Sequence, residues 1–143
     1  FDAMRPRAEL AAAAAEADYL VVLAPYTAQN HNMIDAAVLG AMKPSAHLVN
    51  VARGGVVDEQ ALLAALRAGG LAGAALDVFS MEPLPEDHPF WSMDNVIVTP
   101  HLAGFHDEYP DRALPILAHN IERFLAGDPA GMINVVRSGR ADA

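Results

Sequence analysis

Four short apolar runs, recurring at similar spacing with helix-like stretches between them, constrain this chain more than any other feature. The runs are Tyr19 to Ala24, ended by Pro25; Ala46 to Val51, entered through Lys43-Pro44-Ser45 and left through Gly54-Gly55; Ala74 to Phe79; and Asn95 to Thr99, closed by Pro100. Strands that are apolar on both faces are expected where helices cover both sides of a parallel sheet. The intervening segments carry helix signals. Glu9 to Glu16 is alanine-rich, and alanine is the best intrinsic helix former. Asp35 caps a predicted helix over Ala36 to Met42, and Asp58 caps another over Glu59 to Ala68, where Leu62, Leu63 and Leu66 share a face and Gly69-Gly70 supplies the stop. Alternating strands and helices of this length predict βαβ units and a doubly wound parallel α/β sheet.

The rest of the chain differs in character. Ser80 to Met93 holds Pro83, Pro85 and Pro89 with no periodicity, which predicts an ordered loop. Asp111 to Leu125 reads as a long C-terminal helix with Leu114, Leu117, Ile121 and Phe124/Leu125 on one face; Pro115 inside it predicts a kink or a later start. The last stretch, 127–143, ends in a polar tail expected to fray.

Composition removes several function classes. With 53 % apolar and 19 % charged residues over 143 positions, the chain can build a core and is not intrinsically disordered. No apolar run approaches the ~20 residues of a membrane helix, so no membrane role is expected. The absence of cysteine excludes disulfides, thiolate metal sites and a cysteine nucleophile. A formal charge of -9 repels phosphate backbones and argues against nucleic acid as a partner. No histidine pair has the helical spacing and acidic neighbour of a zinc site, so no metal is expected.

Ligands of open α/β sheets bind outside the carboxyl ends of the strands. The polar residues there are Tyr26 and Thr27 after the first run, Asn50 and Arg53 after the second, Glu82 after the third, and Thr99 and His101 after the fourth; Arg53, Glu82 and His101 stand out among them. A base, an orienting carboxylate and an anion clamp reaching one edge from three strands suit acid/base work on a carboxylate substrate. Taken singly, each also has a plainer reading: a surface arginine before a turn, a solvated loop carboxylate, a capping imidazole. Asp77, an acid inside an apolar run, must find a hydrogen-bond partner. His31, His88, His106 and His119 are expected to be solvated, and His47 to be structural.

These segments together resemble the NAD-dependent D-isomer-specific 2-hydroxyacid dehydrogenases. The likeness is carried by Val51-Ala52-Arg53-Gly54-Gly55-Val56-Val57-Asp58-Glu59, Gly73 to Phe79, Glu82-Pro83-Leu84, and Asn95 to Gly104 with its Thr99-Pro100-His101 centre. The resemblance implies a Rossmann-like sheet and an oxidoreductase that moves hydride between NAD and the carbon bearing the hydroxyl of a D-2-hydroxy acid. In it, Arg53 would clamp the substrate carboxylate, His101 would be the acid/base, and Glu82 would fix its tautomer and stabilise its protonated form. Asp77 would hold the nicotinamide carboxamide. Val51, Ala52, Arg53, His101 and Gly104 would line the nicotinamide end, Pro25 the adenosine side, and Asn30 the cofactor's periphery. The family's formate dehydrogenases resemble this chain less, with glutamine where Glu82 stands.

The resemblance also implies what lies outside the sequence. No G-x-G-x-x-G loop occurs, although the family seats the pyrophosphate on one. Asp2 falls where an acid accepts bonds from the adenosine ribose hydroxyls, so the chain is expected to begin just after that loop and the second strand. On this reading 1–104 is the latter part of the NAD-binding domain, and 105–143 is a connecting helix and tail returning to an absent substrate domain. Apolar surface is then expected to show at the truncated sheet edge and around the last helix. NAD is favoured, while Arg5 and Arg7 leave room for the 2′-phosphate of NADP. The implied partners are a small 2-oxo or 2-hydroxy acid and a second copy in a homodimer, in the cytoplasm. The competing readings are a non-catalytic NAD-binding regulator of the corepressor kind and an inactive fragment of the dehydrogenase.

Overall fold

The computed structural model describes residues 3–135. The chain divides into two compact units, Phe1–Ala103 and Gly104–Ala143. The first unit runs α1 (Leu10–Glu16), β1 (Tyr19–Val22), α2 (Ala36–Ala41), β2 (His47–Asn50), α3 (Glu59–Arg67), β3 (Gly73–Leu76) and β4 (Val96–Val98). The strands form one parallel sheet in the order β1-β2-β3-β4, with Val22 beside Asn50, Asn50 beside Leu76, and Leu76 beside Val98. Parallel order, helix crossovers and the two caps match the sequence expectation. Asp35 accepts from the Val38 N–H at 2.9 Å and Asp58 from the Ala61 N–H at 3.0 Å.

Because each strand is added on the same side of the last, right-handed crossovers place the helices on one face of the sheet. The burial pattern records this. Val22, Leu48, Asn50, Ala74 and Leu76 point into the helix layer and are buried, while Tyr19, Val21 and Ile97 on the opposite face stay exposed. The core is the space between that inner face and α1–α3, filled by residues such as Ile34, Leu39, Leu62, Leu66 and Phe90. The described residues therefore supply one winding of the expected double-wound sheet.

Each strand is shorter than its apolar run. Leu23-Ala24, Val51 and Val78-Phe79 continue the run but have left the ladder, while Thr99, past the end of β4, still donates its N–H to the Leu76 carbonyl. Hydrophobicity marks burial as well as pairing, so run length overstates strand length. The correction matters at Asp77, which follows β3 instead of lying within it.

The loop 80–93 is ordered, as expected, and contains a 3-10 turn at Pro89–Ser92. His88 corrects its expectation. It is not solvated: its Nδ1 accepts from the Phe90 N–H, its Nε2 lies 3.4 Å from Glu59 Oε1, and its ring packs on Phe90. Glu59 also accepts from the Ser80 N–H, so α3 pins both ends of the loop that carries Glu82.

In the second unit, α4 (Tyr109–Leu125) starts earlier than expected and runs through Pro115, so the later start is not found. Its Leu114, Leu117, Ile121, Phe124 and Leu125 face remains exposed. His119 is a second correction: it donates to the Gly131 carbonyl at 2.9 Å, and the Asn120 amide brackets the Ile133 backbone. The tail beyond residue 135 lies outside the described residues. No helix among those residues is long and apolar enough to cross a membrane, and no cluster of three His, Asp or Glu among them could hold a metal.

Candidate active site

The carboxyl ends of all four strands open on one cleft of about 830 Å³, within the first unit. Its walls come from Pro25 and Tyr26 after β1, Val51, Ala52 and Arg53 after β2, Glu82 after β3, and His101 after β4. The three residues singled out for chemistry thus share one cavity.

His101 and Glu82 are bonded. Imidazole Nδ1 lies 2.7 Å from Glu82 Oε2, and the other oxygen, Oε1, accepts from the Phe79 N–H at 2.9 Å. An ionised carboxylate only accepts, so the proton on this edge belongs to Nδ1 and Nε2 is left for chemistry. Burial alone would push the Glu82 carboxyl up. The bonds from His101 and Phe79, with the nearby charges of His101 and Arg53, outweigh it and hold that carboxyl below its ordinary value.

His101 has φ of 57°, in the left-handed region, and its N–H bonds back to the Thr99 carbonyl. What keeps it there is Asp77. This carboxylate, 3 % exposed, accepts from the Thr99 hydroxyl at 2.5 Å, the Leu102 N–H at 2.9 Å and the Ala103 N–H at 2.8 Å. Those donors flank His101 on both sides. The required partners for a buried acid are thus the backbone and hydroxyl of the next strand's loop.

Burial by itself would raise the Asp77 carboxyl, but its three donors and the charge of His101 outweigh that and lower it. A carboxylate with a lowered folded-state value stabilises the fold above its unfolded value, and that contribution disappears as pH falls through the folded value. Asp77→Asn, which cannot accept from all three donors, should lose about 2 kcal/mol or more at neutral pH. Urea midpoints measured from pH 7 downward should show the gap to wild type narrowing below about pH 4. A gap independent of pH would refute the ionised clamp.

Arg53 is exposed to the cleft, and its Nη1 donates to the Ala52 carbonyl at 2.6 Å. Asn30 lies at the β1 end but is buried, its Nδ2 donating to the Pro25 carbonyl at 2.6 Å and its Oδ1 accepting from the Thr27 N–H at 2.7 Å. It shapes the turn that presents Pro25. Arg5 is held by Glu16 through two bonds and Arg7 donates to the Gln29 carbonyl. Gly104 opens the second unit, and Asp2 lies outside the described residues.

Tyr26 and Asn50 stand in the sequence as polar residues at strand ends with no role attached, and the close packing of Gly54 leaves no mark there. Tyr26 lines the cleft, with its ring against Gly55 and its hydroxyl 3.3 Å from His31 Nδ1. Asn50 is buried at the last rung of β2. Gly54 packs so closely on the Phe79–Ser80 backbone that a Cβ there would lie 2.0 Å from the Phe79 carbonyl. A polar residue closing an apolar run was the available signal for Asn50; through-space contacts gave none for Gly54.

A parallel β/α sheet whose carboxyl edge gathers an imidazole–carboxylate pair and a guanidinium around one cleft has the form of a nucleotide-cofactor domain. The model of the D-isomer specific 2-hydroxyacid dehydrogenase NAD binding domain matches residues 2–103, and the chain belongs to that family. It is 41 % identical over 120 residues to a glyoxylate reductase of Thermofilum pendens, covering 83 % of this chain and 35 % of that protein. It is 40 % identical over 119 residues to glyoxylate/hydroxypyruvate reductase A of Yersinia enterocolitica, covering 82 % and 37 %. Among solved structures, a D-isomer specific 2-hydroxyacid dehydrogenase from Xanthobacter autotrophicus Py2 in complex with NADPH and MES superposes with a TM-score of 0.76 at 46 % identity, covering 85 % of this chain and 50 % of that one. The chain spans little more than a third of the length of the curated relatives it matches.

Proposed function

We propose that the protein is an NAD(P)-linked oxidoreductase that interconverts 2-oxo acids and D-2-hydroxy acids, with glyoxylate and hydroxypyruvate as its first substrates to test. The observation that carries this reading is the 2.7 Å bond between His101 and Glu82 on the wall of the cleft that also holds Arg53. The relatives named as glyoxylate or hydroxypyruvate reductases support the substrate class.

Pro25, Val51 and Ala52 give the cleft an apolar wall against which a flat heteroaromatic ring fits, and this supports a nicotinamide dinucleotide there. Asp77, with lone pairs beyond its three donors, would serve the carboxamide end. Asn30 would act at the periphery and Asp2 at the ribose hydroxyls. NAD remains the favoured form. Arg5 pairs with Glu16 on the surface, and three of the solved relatives are described with NADPH or NADP, so NADPH serves as the cofactor probe.

A nicotinamide held in this cleft would supply hydride to, or accept it from, C2 of the substrate. The protein's residues do the rest. Arg53 fixes the substrate carboxylate through its planar donor fork and polarises the 2-oxo group. His101 Nε2 gives a proton to the developing alkoxide in reduction and removes the hydroxyl proton in oxidation. Glu82 keeps Nδ1 protonated and the ring aimed. We read 1–104 as the latter part of the cofactor domain and 105–143 as its connection onward, in a cytoplasmic homodimer.

The test is reductase activity of the full-length protein with NADH and NADPH on a panel of 2-oxo acids. Arg53→Gln should raise KM for glyoxylate at least tenfold while cofactor affinity stays within about twofold, the loss of one charged hydrogen bond. Absence of turnover on every acid would defeat the proposal.

A further inference from the structure

The three buried polar residues of the described core are Asn30, Asn50 and Asp77, and each closes a loop at the carboxyl edge. Asn30 ties the turn after β1 and Asp77 the turn after β4. Asn50, 1 % exposed, ties the turn after β2. Its Oδ1 accepts from the Ala52 N–H at 3.1 Å and its Nδ2 donates to the Arg53 carbonyl at 3.2 Å. The amide therefore grips the chain just before Arg53 and just after its Cα. Its own carbonyl accepts from the Asp77 N–H at 3.0 Å, so the grip is anchored in the sheet.

We propose that Asn50 is the positioning residue for Arg53, setting where the guanidinium enters the cleft. This rests on the reading of Arg53 as the carboxylate clamp. Arg53 has extended backbone, φ −148° and ψ 143°, and its exposed side chain bonds to the Ala52 carbonyl of the same loop, so its origin is set by the backbone of that loop. The Arg53 carbonyl holds two donors, Asn50 Nδ2 and the Val56 N–H, which sets the peptide plane from which the side chain departs. A bidentate carboxylate contact tolerates little displacement, so loosening that plane weakens recognition of the acid without touching the dinucleotide. An amide is suited to the place because it offers one acceptor and one donor at once, and no apolar residue of similar size can do both.

The experiment is a double-mutant cycle in the full-length protein. The affinity of oxamate, a carboxylate mimic of a 2-oxo acid, is measured by titration in wild type, Asn50→Ala, Arg53→Gln and the double variant, with NADPH affinity measured alongside. Asn50→Ala is expected to weaken oxamate about tenfold, leave NADPH within about twofold, and add nothing in the Arg53→Gln background. Asn50→Asp keeps the acceptor to Ala52 and removes the donor to Arg53. It should show the same oxamate loss, and it stands in if the alanine protein does not fold. Additive losses, or equal losses for oxamate and NADPH, would mean Asn50 acts through general stability and would overturn the inference. Loss in Arg53→Gln with none in either Asn50 variant would overturn it too. No loss in Arg53→Gln would bring down the clamp reading, and this inference with it.

Discussion

A His101→Asn protein is expected to bind NADPH with wild-type affinity and to reduce glyoxylate at least a hundredfold more slowly. A positioned acid/base contributes typically ~10²–10⁴ to rate, and His101 is the cleft group whose Nε2 is left unused by the Glu82 contact. Asparagine is the informative replacement because of the backbone. At φ 57° an alanine would be strained, whereas asparagine is among the residues that enter the left-handed region most readily. Its side-chain amide can still donate to Glu82. The variant therefore separates proton transfer from loop geometry. Single-turnover kinetics with a cofactor titration would check it, and a kcat within tenfold of wild type would remove His101 from the chemical step.

The second large effect needs no assay of activity. Gly54→Ala would place a Cβ 2.0 Å from the Phe79 carbonyl carbon and oxygen and 2.4 Å from the Ser80 nitrogen. All three are backbone atoms, so no side-chain rotation relieves the clash. The loops after β2 and β3 would have to separate, which costs at least the ~1–3 kcal/mol of ordinary overpacking and falls in the range above ~4 kcal/mol that marks a named structural failure. A drop in Tm of more than about 10 °C, or no folded protein, is the expected result. Gly40→Ala is the matched control. It lies inside α2 with nothing within 4 Å of an added Cβ, so it should be neutral or stabilising by up to about 1 kcal/mol. Equal behaviour of the two variants would show that the close approach does not constrain the fold.

Much of this architecture could be read from residues alone. The parallel sheet followed from apolar runs bounded by proline and glycine, and the helix starts followed from Asp35 and Asp58, because both signals are local. Strand ends were read too long, since Leu23, Val51 and Phe79 are apolar for reasons other than pairing. One-sided helix cover was hidden because Val21 and Ile97 look the same in sequence whether covered or not. Arg53, Glu82 and His101 stood out because strand ends dictate where ligands meet such a sheet. Apart from the Glu82–His101 pair, which the resemblance implied, the partners that hold them were hidden. Asp77 with Leu102 and Ala103, Glu59 with His88, and Gly54 with Phe79 are each joined across about 25 positions or more, and no local pattern encodes those contacts.

The placement of His101 has a consequence for local opening. Arg53 and Glu82 follow β2 and β3, which have neighbours on both sides, but β4 is three residues long and, among the described strands, pairs on one side only. Local unfolding begins at such margins, where few ladder bonds must break. The histidine thus follows the shortest strand at a margin of the sheet, and the carboxylate of Asp77 ties that margin to the interior. Amide exchange at Leu102 and Ala103 becomes a direct gauge of that tether. Slow exchange there, against fast exchange along the rest of the β4 margin, would mark the loop carrying His101 as a fixed point on a yielding edge.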